Sequence, residues 1–166
     1  MNATSIDKDA LVVSMVLSAW DTYAKRVTDF LDKISDQGLL TQVAPDRNRV
    51  YYLIGHLTVV NDRMLPLLGL GQTHYSEQEA MFLTNPDNKE LIGPTPDVLR
   101  QNWKESLDRL SKGFKQFSTE DWFTKHNAVS EQDFEKEPNR NKLNIIINRT
   151  NHLASHYGQL LLVKEK

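Results

Sequence analysis

No cysteine occurs in the 166 residues, which excludes disulfides, thiolate metal sites and a cysteine nucleophile, so any catalysis must draw on other groups. An excess of either charge is also missing. Lys and Arg number 20 against 22 Asp and Glu, and a formal charge of −2 gives no electrostatic reason to expect nucleic acid or an anionic membrane as partner. Long apolar runs are absent as well. The opening MNATSIDKDALVVSMVLSAW sets Asp7, Lys8 and Asp9 before a short apolar stretch that Ser14 and Ser18 interrupt, which fits neither a signal peptide nor a membrane span. A cytoplasmic protein of one domain, residues 1–166, without internal repeats, is the expectation. No stretch shows the two-residue alternation of β-branched residues that marks strands, and the expected fold class is all-α.

Four segments carry the helical period instead. From about residue 8 to 35, Val12, Val16, Ala19, Trp20, Tyr23, Val27, Phe30 and Ile34 form one stripe. Gly38 and Pro45 break it. Asp46 is the expected cap of a second helix reaching Leu68, with Leu53, Val60, Met64 and Leu67 inward and Gly69 and Gly71 as its stop. Thr95 and Pro96 form a cap and first-turn pair for a third helix, which repeats Leu99, Trp103, Leu107, Leu110, Phe114 and Phe117. A fourth begins near Asn141. The link from Gly69 to Thr95, with NPDN and GPT in it, is longer than an antiparallel helix pair needs and can recross the molecule, which would set helices two and three parallel. Residues 118–140 are expected to hold one short helix and a solvated loop.

Two of the five histidines, His152 and His156 in NHLASHYGQL, stand four apart, so their side chains lie about 40° apart on one helical face. Such a pair can hold a divalent cation if a third ligand joins it. His56, in the middle of helix two beside Leu53 and Val60, is the candidate. The alternative reading leaves the three as ordinary core histidines, hydrogen-bonded to neighbours. A cation on three neutral imidazoles keeps coordination positions open, as catalytic rather than closed sites do. His74 and His126 fall in loops and are expected to be exposed.

GHLTVVNDRMLPLLGLG (55–71) followed by NHLASHYGQL (151–160) resembles the DinB superfamily, the helical group that includes YfiT-like metal-dependent enzymes and thiol-dependent transferases, with helix positions consistent along the whole chain. The resemblance implies a four-helix bundle of up-down-down-up order with a long link between helices two and three. It places the metal ligands on His56, His152 and His156. Members use zinc, nickel or another divalent ion; some transfer low-molecular-weight thiols such as bacillithiol or mycothiol, and many have no assigned reaction. Because the sequence stops at Lys166, the additional carboxy-terminal domain of mycothiol-dependent members is not expected, nor is a maleylpyruvate-type isomerase.

Around the histidines, Arg149 lies one turn before the pair and is the candidate contact for an anionic substrate or thiol cofactor, with a surface salt bridge as the alternative. Asn148 and Gln159 are candidates for holding an imidazole by its second nitrogen. Gly158 is expected to permit close helix packing. Tyr52 and Trp20 are read as core, and Asp62 as lying opposite the core stripe, paired at most with Arg63. The functional expectation is a metal-dependent enzyme that activates a thiol or water toward a small-molecule substrate, with zinc or nickel suited to imidazole. The alternative is a non-catalytic, stress-associated bundle that holds metal or a small ligand. A homodimer fits the resemblance, although no heptad seam demands one.

Overall fold

The computed structural model describes residues 6–90 and 92–164. It is all-helical, with no strand among the described residues. Four long helices dominate: α1 (Lys8–Leu31), α3 (Val50–Asp62), α5 (Pro96–Phe114) and α8 (Lys142–Leu160). Short helices α2 (Asp36–Leu39), α4 (Met64–Leu68), α6 (Thr119–Trp122) and α7 (Glu131–Lys136) fill the connections. α1 packs along α8 and α3 along α5, with α1–α5 and α3–α8 contacts joining the two pairs. No described helix is long and apolar enough to cross a membrane.

Local chemistry sets most boundaries. The Asp7 carboxylate accepts from the amides of Asp9 and Ala10, starting α1. Thr95 caps α5 with Pro96 in the first turn, and Asn141 caps α8, both as the sequence indicates. Gly69, at φ 77°, ends α4 in the left-handed conformation, and the Leu70 amide returns to the Leu65 carbonyl at 2.8 Å. Pro66 has no amide for the Asp62 carbonyl, and the expected second helix is broken at Arg63 into α3 and α4.

Several expectations are corrected. α1 ends at Leu31, four residues early, because Ser35 starts a separate helix by capping the Gly38 amide. Its buried line is Val13, Trp20, Ala24, Val27 and Leu31, with Ile34 buried just beyond its end, whereas Val12 and Ala19 face solvent. Helix α1 is apolar on two sides, so periodicity could not choose between them. Asp46 does not cap the second helix; it sits at φ 59° in the turn where Gln42 pairs with Arg49, and α3 starts at Val50. The capping carboxylate comes from Asp87 in the link, which accepts from the Arg49 amide at 2.8 Å. Residues 118–140 contain two short helices, with Trp122 of α6 buried against Phe114 and Phe117.

Asp62 departs furthest from its reading. It is only 1% exposed, and its Oδ2 accepts from the amides of His74 and Tyr75 at 2.7 and 2.9 Å, tying the link to the end of α3. α3 is enclosed on nearly every side, so it has no outward face on which Asp62 could lie.

Candidate metal centre

His56 of α3 and His152 and His156 of α8 meet between the two helices. His56 Nε2 lies 3.1 Å from His152 Nε2, and His156 Nε2 lies 3.0 Å from the same atom. One ligand atom from each residue falls within 4.8 Å of the others, and all three rings are half-buried. The three residues named from the sequence are therefore brought together by the fold. His74 and His126 are not part of this group.

The outer nitrogens decide what the inner ones can do. His56 Nδ1 lies 2.9 Å from the Phe82 carbonyl oxygen, which only accepts, so Nδ1 carries the hydrogen and Nε2 presents a lone pair. His156 Nδ1 lies 3.1 Å from Gln159 Oε1, and with the amide oxygen turned to the ring in this way Nδ1 carries the hydrogen and Nε2 is bare. Both lone pairs point at His152 Nε2, which can carry one hydrogen and aim it at one of them. In a metal-free site at least one of these lone pairs is left without a donor, whatever the protonation of His152. A cation satisfies all three. Tetrahedral bonds of ~2.1 Å separate ligand nitrogens by about 3.4 Å, so the pairs at 3.0 and 3.1 Å need to open only slightly. The donor set fits a divalent ion.

Electrostatics keep the cluster neutral. Burial lowers the pKa of His56, and Arg149 pushes the same way against the opposing Phe82 hydrogen bond. His152 is brought down to about 4, by burial first and then by His156, His56 and Arg149. Burial lowers His156 too, opposed by its bond to Gln159. Near pH 7 no proton has to leave before a metal can bind.

The Phe82 carbonyl could not be found by scanning for polar side chains. Residues Ala80–Thr84 form a turn of π-helix, closed by the Asn85 amide on the Ala80 carbonyl at 3.2 Å. An α-helical continuation would offer the Phe82 carbonyl the amide of residue 86, which is proline and has none. Phe82 is fully buried, so its carbonyl needs a partner, and His56 supplies it. The usable signal was Pro86, four residues after a phenylalanine in the link.

Among the supporting residues, Gln159 contacts His156 as read, but Asn148 does not reach a ring: its amide donates to the Asn144 carbonyl at 2.9 Å on the exposed side of α8. Tyr52 stacks on His56, with centroids 6.3 Å apart and planes 9° apart, and its hydroxyl donates to the Asn85 carbonyl. Trp20 is core. Gly158 faces open space, so close packing is not its role. A cavity of about 450 Å³ opens beside His156 and Gln159, walled by Val43, Ala44, Asp46, Arg47, Asn48 and Leu162.

Gly55 is where the packing tolerates least. A Cβ there would run into the Phe82 ring. Gly55→Ala should cost about 1–3 kcal/mol through overpacking and push Phe82 away from His56. A lower Tm together with weaker zinc binding is the expected result; unchanged zinc affinity would show that Phe82 does not position His56.

An all-helical chain in which imidazoles from two long helices converge is the class these features define. A model of the DinB superfamily matches residues 19–160, and the chain belongs to that superfamily. A search of curated proteins finds none that matches it.

Proposed function

We propose that the protein is a metal-dependent enzyme of the DinB superfamily, with His56, His152 and His156 holding zinc or nickel and a thiol or water as the nucleophile delivered to a small electrophile. The convergence of three Nε2 atoms, with His56 fixed as a lone-pair donor by the Phe82 carbonyl and His156 held by Gln159, carries this reading. A divalent ion bound there supplies Lewis acidity that lowers the pKa of the nucleophile at neutral pH. The chain's own residues do the positioning. The Phe82 carbonyl and Gln159 fix the tautomers and ring planes, Tyr52 stacks on the His56 ring, and the cavity beside His156 offers room for a small molecule. In our reading the four long helices form one up-down-down-up bundle, with the Gly69–Thr95 link crossing over, which puts α3 and α8 side by side in opposite directions.

The test is turnover with and without metal. Protein stripped by chelation and reloaded with zinc or nickel is assayed for transfer of small thiols to 1-chloro-2,4-dinitrobenzene and for hydrolysis of activated esters and amides. Metal-dependent turnover that disappears in His56→Ala is expected. Stoichiometric metal without turnover across both panels would favour the non-catalytic binding protein instead.

A further inference from the structure

Three arginines that are shielded from solvent, Arg49, Arg100 and Arg109, each pair with a carboxylate: Asp87, Asp36 and Glu105. Arg149 does not. It is half-buried on α8, and among the described residues it has no hydrogen-bond acceptor, carboxylate or aromatic ring as partner. Shielding a guanidinium without a counter-charge is costly, and an anion placed beside it would relieve that cost. Burial, and after it the charge of Arg63, lower the Arg149 pKa.

The placement says what that arrival meets. Arg149 precedes His152 by three residues and His156 by seven, so on α8 it lies about 60° and 20° around the axis from them, on the same face. Arg63 follows His56 by seven and is likewise about 20° off its line. The histidines of the two helices meet, and the arginines on either side feel each other's charge. Moving forward along α3 is therefore moving backward along α8. The two arginines lie toward the same end of the histidine site, with about 10 Å of helix rise separating Arg63 from His56 and Arg149 from His156, and about 4.5 Å separating Arg149 from His152. Arg63 keeps only a loose contact with Glu79, at 3.9 Å, and its side chain is 56% exposed. Asp62, next to it, has its Oδ2 committed to the link amides. Neither guanidinium thus has a close carboxylate partner at this end of the histidine site, Asp62 being turned into the link.

We propose that Arg149, assisted by Arg63, anchors a carboxylate of the molecule whose reacting atom lies at the three histidines. The substrate class is then an ω-carboxylated thiol or a carboxylated electrophile, reaching from the histidines toward Arg149. Arg149 is the binding residue, and its planar fork suits a carboxylate. The assignment of the reacting end rests on the metal reading above, whereas the anchor itself does not.

Two measurements separate these claims. Cobalt-substituted protein is titrated with 6-mercaptohexanoate and with 6-mercaptohexanol, following the thiolate-to-cobalt charge-transfer band. The acid should bind about 10- to 100-fold tighter; Arg149→Gln should remove that preference without weakening the alcohol, and Arg63→Gln should reduce it only in part. In the second measurement, metal-free protein is titrated with hexanoate by calorimetry, and binding should be lost in Arg149→Gln. No preference for the acid in the wild type, or a preference that survives Arg149→Gln, overturns the anchor on a thiol. If neither thiol gives a band, thiol binding at the metal fails, and the calorimetric arm decides alone: hexanoate binding lost in Arg149→Gln assigns the carboxylate to the electrophile, and binding absent or unchanged overturns the proposal.

Discussion

Replacing His152 with alanine is expected to take bound zinc from about one per chain to near zero after gel filtration, with an affinity loss greater than ~100-fold, beyond what removing a supporting partner of a ligand costs. His152 is the centre of the cluster: His56 and His156 each approach it, at 3.1 and 3.0 Å, and no direct bond links those two to each other. Without it, two imidazoles on separate helices remain. The same variant should behave differently when no metal is present. The wild-type cluster then leaves at least one imidazole lone pair without a donor, and the alanine removes a ring that is only half-buried and opens that space to water. The metal-free variant should therefore melt close to metal-free wild type, while added zinc raises the Tm of the wild type only. Elemental analysis and paired melting curves check both halves, and zinc retained at one per chain in the variant would refute the assignment.

The largest loss of stability is expected from Asp87→Ala. The side chains of Arg49 and Asp87 are each 10% exposed; Arg49 Nε lies 3.0 Å from both carboxylate oxygens, and the Arg49 backbone amide donates to Oδ2. One carboxylate thus neutralises a buried guanidinium and completes the start of α3. Its removal strands both, at about 3–5 kcal/mol, or a Tm lower by about 10 °C for a chain of this size. Combining it with Arg49→Met should recover much of that, because a buried pair removed whole costs far less than one broken. The link that Asp87 fastens also carries Phe82, so zinc affinity should fall along with stability. A Tm within about 2 °C of wild type would contradict this account.

The sequence was most informative where chemistry is local. Thr95-Pro96 and Asn141 mark helix starts because a cap acts within three residues, and His152, His156 and Gln159 share a face because α8 is regular. It was least informative where the partner is remote or is backbone. Asp46 looks like a cap from its position alone, yet the carboxylate that serves α3 arrives from Asp87. The Phe82 carbonyl becomes available only because Pro86 lacks an amide and the π-turn widens the backbone. Asp62 was misplaced because one-stripe periodicity assumes a solvent side that α3 does not have. The unpaired state of Arg149 needed the positions of every carboxylate around it.

The pairing of α1 with α8 sets an order on biosynthesis. Tyr23, which meets Tyr157 edge to face, lacks its partner until residues 142–160 have been made, so a nascent chain carries an open seam along α1 until its second and third imidazoles emerge. Contacts so distant along the chain slow folding, and partly made chains with such seams invite chaperones or aggregation. Closure of the fold and assembly of the ion-binding triad thus depend on the same late segment, and a shortened translation product should be both sticky and unable to retain metal.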